Sequence, residues 1–187
     1  TRSMGNVSFY YQGRIIENIR ISNTVDAYAV NGWESMKLEN HSGIVDNYRF
    51  PKGDPEVMAR YNAPLYLAVK MNRKVVSTGD TTLVDTYIVN EKNLKGSYIL
   101  NMVAKDESGN VVASHKERVT VKGGNNYGQC LQSGWAFIPK SKGYTRIEAS
   151  LLKGKTELVK GDDLLFAVEL NTKGITTRGS VADTTGA

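Results

Sequence analysis

The sequence is poor in the residue types that build thiol and metal sites. It has one cysteine, Cys130, and two histidines, His41 and His115, in 187 residues. A lone cysteine cannot form an internal disulfide and leaves no second thiolate for a zinc pair. Because Cys130 lies in the strand-like run YGQCLQSGWAFIP, we predict a buried, unreactive thiol. We therefore expect no metal and no cofactor.

Long apolar runs and a leader pattern are also missing. No run approaches the roughly 20 apolar residues that cross a bilayer, so no membrane span is predicted. The opening TRSMGNVSFYYQGR has no apolar signal core followed by a small-residue cleavage site. We expect either a protein that stays inside the cell or a chain that begins partway through a longer one.

Clustered positive charge is absent as well, although the net charge is +5, from 24 Lys and Arg against 19 Asp and Glu. The cations are scattered singly among acids, and no aromatic-rich basic motif accompanies them. A nucleic-acid partner is therefore not expected, since such partners are bound by clustered cations. A solvated sheet surface is the predicted role of these charges.

Strand-type runs separated by turn residues dominate the chain from Pro64 onward. Val, Ile, Thr and Tyr are frequent in them, and in SYILNMVAK the residues Tyr98, Leu100, Met102 and Ala104 share one face at period two. Seven strands are predicted, at 64–72, 81–90, 97–105, 111–121, 129–139, 144–153 and 164–170. Their number and spacing predict a mainly β fold, an immunoglobulin-like antiparallel β-sandwich over residues 63–172, with a polar tail or linker at 173–187.

Individual residues of the predicted sandwich carry narrower expectations. Ile147, Ala149 and Leu151 alternate with polar residues, and Leu164, Phe166, Val168 and Leu170 share one face of the last strand. Trp135 is expected in the core. Tyr144 is either a tyrosine corner, its hydroxyl bonded to the preceding connection, or an ordinary half-buried strand residue.

Residues 1–62 follow a different pattern. GRIIENIRISNTVDAYAV fits neither a clean amphipathic helix nor a strand, while DAYAVNGW and SGIVDNY are predicted strands. KGDPEVMARY predicts a short helix with Asp54 as N-cap, Pro55 at the first helical position and Glu56 in the first turn. Pro64 ends that helix, because the residue before a proline disfavours the α conformation. This segment is predicted to be a domain junction.

The junction also resembles a known family. HSGIVDNYRFPKGDPEVMARYNAPLYLAV resembles the exit from the catalytic barrel of glycoside hydrolase family 2, the family of β-galactosidases, β-glucuronidases and β-mannosidases. The stretch that follows, above all VDTYIVNEKNLKG, resembles the immunoglobulin-like domain after that barrel. The matching junction positions are Gly43, Ile44, Val45, Asp46, Pro51, Lys52 and Tyr61.

The resemblance covers about residues 27–170 and has several implications. Residues 1–62 would be the last strand and helix of a (β/α)8 barrel, and the chain would be the C-terminal part of a larger β-glycosidase. The rest of that glycosidase, its catalytic barrel, would be the main partner, and a periplasmic or extracellular location is implied.

Catalysis by this chain alone is not expected. Retaining glycosidases place two carboxylates about 5 Å apart, and the resemblance implies Asn-Glu and Glu-Phe/Tyr-Gly contexts for them. Glu17 and Glu34 lack the expected neighbours, and Asn90-Glu91 lies on a predicted turn. By resemblance, Trp33 would stack on a sugar ring while Glu34 accepts hydroxyl hydrogen bonds; plain packing is the alternative for Trp33. No catalytic residue is predicted.

Two functions remain open. The first is a non-catalytic accessory sandwich of a family 2-like β-glycosidase. The alternative is an independent carbohydrate-binding or adhesive module, for which Tyr66, Tyr87, Tyr98, Tyr127 and Trp135 are the available aromatics. A self-sufficient enzyme is disfavoured, since the sequence carries no triad, metal cluster or phosphate loop. A barrel strand without its neighbours also predicts a homodimer through residues 1–50.

Overall fold

The computed structural model describes residues 2–30, 32 and 43–169. Within them the chain forms two helices and eight strands. The helices are α1 (Arg2–Ser22) and α2 (Pro55–Tyr61). The strands are β1 (Leu65–Met71), β2 (Val75–Ser77), β3 (Thr82–Asn90), β4 (Gly96–Lys105), β5 (Val111–Val121), β6 (Gly128–Phe137), β7 (Gly143–Lys153) and β8 (Thr156–Val168).

The strands form two sheets, which confirms the predicted mainly β sandwich. The small sheet has the order β1-β3-β6 and the large sheet the order β2-β8-β7-β4-β5. All neighbours are antiparallel except β2, which pairs in parallel with β8. The predicted count of seven strands missed β2, a three-residue edge strand too short to show a period. β8 also begins at Thr156 and not at Leu164, since only Gly154 and Lys155 form the turn.

The main core lies between the two sheets. The predicted inward faces of β4 and β7 are confirmed, because Tyr98, Leu100, Met102, Ala104, Ile147, Ala149 and Leu151 are all buried. The predicted face of β8 is the outer one, however, and Leu165 and Ala167 enter the core. The outer face of β8 is apolar in part because Phe166 packs there against Tyr144 of β7, with ring centroids 4.7 Å apart.

Two tyrosines resolve the question of a tyrosine corner. Tyr144 is 54% exposed and rests on Phe166, so it is a strand-surface residue. Tyr98 instead donates its hydroxyl to the carbonyl of Lys95 at 2.9 Å, three residues upstream. The hydrogen bond expected of a tyrosine corner is therefore made by Tyr98 and not by Tyr144. It connects the start of β4 to the preceding connection.

A second core joins the helices to the small sheet. Phe9 and Ile16 of α1 and Met58 and Tyr61 of α2 pack against the outer face of that sheet, through Tyr66, Ala68 and Val89. The same strands send Leu67, Val69, Val84 and Ile88 inward to the main core. The architecture thus has three layers: helices, small sheet and large sheet.

α1 corrects the expectation that GRIIENIRISNTVDAYAV, residues 13–30, fits no clean amphipathic helix. The sequence of this segment does not indicate a helix, because isoleucine and glycine are weak helix formers. Charged residues also occupy the packed face of the helix, and apolar residues occupy its exposed face. Arg14, Glu17 and Arg20 are buried on the packed side, whereas Val7, Tyr11 and Ile15 are exposed. A helix with charges inside and apolar residues outside gives no conventional amphipathic signature.

Two glycines of α1, Gly5 and Gly13, lie in close contact with residues 52–61. A Cβ on Gly13 would lie 2.0 Å from the ring of Tyr61, and one on Gly5 would lie 1.8 Å from the carbonyl oxygen of Lys52. Such contacts are sterically forbidden to any larger residue. The glycines therefore let α1 approach the α2 region more closely than alanine would allow.

The remaining junction predictions have mixed outcomes. α2 is confirmed, with the Asp54 side chain accepting a hydrogen bond from the Glu56 amide at 3.1 Å. The described residues 43–48 of SGIVDNY form no strand, and Val45 makes an isolated bridge to Pro51. Residues 26–30 of DAYAVNGW are irregular as well. Residues 43–50 form a loop that closes on itself, because the Asp46 carboxylate accepts from the amides of Tyr48 and Phe50 at 2.9 Å each.

Candidate functional site

A groove of about 710 Å³ lies between α1, α2 and β8. Its size is within the range of small-molecule and peptide sites. The apolar part of its wall comes from Val7, Tyr11, Val57 and Leu164, and the polar part includes Tyr10, Arg60, Arg146, Asp162 and Asp163. These residues meet because Tyr10 of α1 donates to Asp163 of β8 at 2.7 Å, and Arg60 of α2 pairs with Asp162 of the same strand.

A buried ionic network lies beside this groove, centred on Arg14. Its guanidinium contacts Glu17 at 3.1 Å and Asp163 at 2.9 Å, and it also donates to the carbonyl of Val69 at 2.9 Å. Both carboxylate side chains are fully buried. Burial opposes the charge of Arg14, but the two carboxylates outweigh it and raise its pKa. One arginine of α1 thus connects the helix to both sheets.

Two lysines and two tyrosines complete the network. Lys70 lies 3.3 Å from Glu17, and Lys74 lies 2.6 Å from Asp163. Tyr66 donates to Glu17, and Tyr10 donates to Asp163, each at 2.7 Å. Burial is the main reason that the pKa of each lysine is lowered and the pKa of each tyrosine is raised.

The chemistry of the network is that of a structural connection. Each carboxylate faces two cations and a neutral tyrosine hydroxyl, so its charge is compensated inside the protein. Glu17, one of the two nearest carboxylate candidates in the sequence, is held in this way. Among the described residues no group of three or more His, Cys, Asp or Glu side chains is arranged to hold a metal ion.

The rim of the groove has its own ion pairs. Arg60 of α2 contacts Asp162 at 2.5 Å, and Arg146 of β7 pairs with the same carboxylate. Asp162 is largely buried while both arginines remain about half exposed. The arginines hold α2 against the large sheet and leave the apolar wall of the groove open.

The outer face of α1 continues that apolar wall along the helix. Val7, Tyr11 and Ile15 recur every four residues and are 50%, 64% and 60% exposed. Residues at this spacing share one helix face. We call these three residues the α1 stripe. Large exposed apolar patches mark interaction surfaces more often than isolated residues do.

The residues singled out from the sequence fall in different places. Trp33 and Glu34 lie outside the described residues, as do His41 and the predicted tail 173–187. Cys130 is exposed, which corrects the predicted buried thiol, although partial desolvation of its sulfur and the nearby Asp85 carboxylate raise its pKa. It is exposed because β6 is an edge strand of the small sheet and its side chain points away from the core. Trp135 packs at the edge of the core and stacks on His115 at 6.0 Å.

Asn90 and Glu91 are structural residues. Asn90 is buried, and its side chain accepts from the amide of Leu94 and donates to the carbonyl of Leu94, each at 2.8 Å. Glu91 pairs with Arg20 of α1 at 2.7 Å. The dipeptide therefore closes the β3–β4 turn and binds α1 to it.

Sequence reasoning missed most of this site. Arg14, Tyr10, Lys74 and Asp163 were not singled out, because their partners are 55 to 153 residues away in the chain or lie on an unpredicted helix. One local signal existed in GRIIENIRI, where charges interrupt an isoleucine-rich run at helical spacing. Buried charges must be paired, so this pattern indicates a helix with buried ionic partners.

Comparisons with known proteins find partial similarity to solved structures. No protein-family model matches the chain, and no curated protein does. A glycosyl hydrolase family 2 member from Bacteroides cellulosilyticus has 16% identity and a TM-score of 0.43, over 55% of this chain and 15% of that one. A β-glucuronidase from Bacteroides uniformis has 14% identity and a TM-score of 0.41, over 54% and 13%.

Two further solved structures show the same level of similarity. A putative β-galactosidase from Bacteroides fragilis has 10% identity and a TM-score of 0.41, over 54% of this chain and 16% of that one. The CARDB domain of a Pyrococcus furiosus protein, in complex with di-metal ions, has 15% identity and a TM-score of 0.37, over 56% and 87%. The matched part is thus a small fraction of each glycosidase, and these values assign no activity.

Neither helix of the described residues is long and apolar enough to cross a membrane.

Proposed function

We propose that this chain is the C-terminal, non-catalytic part of a family 2-like β-glycosidase and serves as an accessory sandwich domain. The sequence resemblance of the junction motivates the proposal. The observation that carries it is the α1 stripe, an apolar helix face beside the groove, on the opposite side of α1 from the packed face. The occupant of this face is the catalytic barrel of the parent enzyme.

The buried network explains how the chain would do this work. α1 is fixed to both sheets by Arg14 and to the β3–β4 turn by Arg20, so the sandwich presents the α1 stripe on a rigid support. A rigid face costs little ordering entropy when it binds a neighbour. The domain would thereby stabilise the barrel, while the barrel supplies the catalytic carboxylates.

Two further expectations from the resemblance belong to this proposal. Residues 1–62 are the barrel-derived segment, and 63–172 are the accessory sandwich. Trp33 and Glu34 contact sugar only with the remaining barrel present. A homodimer of the chain stays a prediction, but residues 2–22, part of the segment proposed to supply an unpaired strand, are helical.

Hydrolysis assays test the proposal. The 187-residue chain and the gene product that contains it are each incubated with a panel of aryl β-glycosides. We expect hydrolysis by the longer product alone. Hydrolysis by the purified chain, or a gene whose coding region begins with this chain, contradicts the proposal.

A surface variant separates docking from catalysis. Tyr11→Lys in the longer product places a charge in the proposed contact and is expected to lower its melting temperature while leaving KM nearly unchanged. Tyr144→Lys, at an exposed tyrosine of the large sheet, is the matched control. Equal effects of the two variants would show that the α1 stripe does not dock.

The independent carbohydrate-binding module is the weaker candidate in its original form. It required a line of exposed aromatics among five residues of the sandwich. Tyr66 and Tyr98 are fully buried, and Tyr87 and Trp135 are half-buried. Only Tyr127 of that set is exposed among the described residues. No aromatic row of the expected kind is formed by these five.

A further inference from the structure

A second cleft, of about 910 Å³, lies at the C-terminal end of α1 and away from the α1 stripe. One wall is the irregular segment that follows α1, and the other is the loop that precedes β6. Each wall contributes one accessible tyrosine: Tyr28 is 38% exposed and Tyr127 is 48% exposed. The cleft floor includes Arg20, Val89 and Glu91. None of its residues belongs to the groove described above.

The two walls are held together by Asn23. Its backbone adopts a φ of 56°, and its side-chain oxygen accepts from the amide of Gly128 at 2.7 Å. Its amide group donates to the side chain of Asn126 at 2.8 Å and to the carbonyl of Gly128. The cleft is therefore a built feature, in which the segment after α1 is bound across 105 residues of sequence to the loop before β6.

Each tyrosine is also anchored at one point. The Tyr28 hydroxyl donates to the side chain of Asn62 at 2.7 Å, which fixes the outer end of its ring. Asn62 is itself held, through its amide group, by the carbonyl of Met58 at 2.8 Å. The backbone carbonyl of Tyr127 accepts from the amide of Asn90 at 2.8 Å. Aromatic rings on fixed supports make effective binding platforms, because little entropy is lost on binding.

The charge in the cleft selects the class of ligand. Its cation, Arg20, is only 8% exposed and already donates to the carbonyls of Tyr61 and Ala63 and to Glu91. What remains accessible is carboxylate and amide: Asp26 is exposed, and the Glu91 side chain is 47% exposed. An anionic ligand would be repelled by these groups. A neutral ligand with many hydroxyl groups would instead donate hydrogen bonds to these carboxylates.

We propose that the cleft between Tyr28 and Tyr127 binds a neutral oligosaccharide. The negative π-face of a tyrosine attracts polarised C–H bonds, which a pyranose ring presents on its flat sides. Sugar hydroxyls donate to Asp26 and Glu91, whose charge strengthens such hydrogen bonds. A mostly concave site with aromatic walls and a few oriented polar groups is the usual form of a small-molecule site. At about 910 Å³ the cleft is larger than one sugar ring, so an oligomer fits it better than a single sugar.

Titration of the 187-residue chain tests this proposal. Cellohexaose, mannohexaose and xylohexaose are added at millimolar concentration, and backbone amide shifts are followed by NMR. We expect at least one of these neutral probes to shift amides of residues 23–28 and 125–128 in a saturable way. Oligogalacturonate, an anionic probe of similar size, is expected to bind more weakly. Absence of saturable shifts with all neutral probes, or preference for the anion, overturns the proposal.

Matched variants locate the site. Tyr127→Ala is expected to weaken binding roughly five- to tenfold by removing one ring contact, whereas Tyr127→Phe retains the ring and stays near the wild-type affinity. Tyr144→Ala removes an equally exposed tyrosine from the large sheet and leaves affinity unchanged. If Tyr127→Ala folds normally by circular dichroism and binds like the wild type, the site assignment is wrong. Variants of the α1 stripe do not enter this test, so its result is independent of barrel docking.

Discussion

Glu17 shows how a single side chain organises the helix layer. It is fully buried, yet it is surrounded by Arg14 at 3.1 Å, Lys70 at 3.3 Å and the hydroxyl of Tyr66 at 2.7 Å. A buried ion pair contributes little net stability compared with an apolar replacement, but removal of one partner leaves an uncompensated charge. The network therefore specifies how α1 sits on the sheet.

Neutralising that carboxylate is the first prediction. Glu17→Gln leaves Arg14 and Lys70 close together without their shared anion, and we expect a loss of about 3 kcal/mol in the free energy of unfolding. Urea denaturation measures the change. Glu157→Gln, at an exposed position of β8, should stay within about 0.5 kcal/mol of the parent. A similar small change for Glu17→Gln would show that the network is not stabilising α1.

The tyrosines of the network predict an alkaline limit to stability. In the folded state the pKa of Tyr66 is raised above its ordinary value of 10.0, by burial and by Glu17, and the pKa of Tyr10 is raised by burial and by Asp163. Folding therefore retains protons that the unfolded chain releases. The stability from these groups is complete below pH 10 and is lost as the pH rises above it.

Tyr66→Phe tests this dependence. The variant lacks one of the two shifted groups, so its unfolding free energy should fall less steeply above about pH 10 than that of the parent chain. Urea unfolding at a series of alkaline pH values gives both slopes. Identical slopes would mean that Tyr66 ionises in the folded protein as readily as in the unfolded chain. Tyr48→Phe, at a tyrosine that is 75% exposed, is the surface control for the substitution.

At the scale of elements, the β3–β4 connection depends on one amide side chain. Asn90 both accepts from and donates to Leu94, and the neighbouring Glu91 binds Arg20 of α1. One turn thus connects β3 of the small sheet to β4 of the large sheet and holds the end of the helix. Loss of the Asn90 contacts should loosen both elements together.

Asn90→Ala measures that dependence. It removes two hydrogen bonds from a buried position, and we expect a loss of about 2 kcal/mol in the free energy of unfolding. Hydrogen exchange should also become faster for the amides of residues 91–95. Lys92→Ala, in the same turn but exposed, is the control and should change little. A stable, slowly exchanging turn in Asn90→Ala would assign its closure to the backbone alone.

Elements differ in how far the sequence predicts them. β4, β5 and β7 follow from alternation and turn residues, because a half-buried strand must place every second side chain in the core. β2 and the first half of β8 do not, since one is too short and the other contains polar residues that resemble a turn. α1 is missed because its buried face carries Arg14, Glu17 and Arg20, whose partners come from distant strands and connections.

At the scale of the whole molecule, the two surface features discussed above differ in their chemistry. The groove and α1 stripe are apolar, with their charges paired, which suits a protein neighbour. The cleft between Tyr28 and Tyr127 is polar and acceptor-rich, which suits a neutral sugar. Neither feature could be predicted from sequence spacing, because each joins segments that lie about a hundred residues or more apart in the chain.

Thiol accessibility at the α1 stripe tests docking most directly. Tyr11→Cys is made both in this chain and in the longer gene product, and the alkylation rate of the introduced thiol is compared with that of Cys130, an exposed internal reference. We predict rapid labelling in the isolated chain and strong protection in the longer product, with the Cys130 rate similar in both. Equal labelling of the introduced thiol in the two proteins would contradict the proposed role of α1.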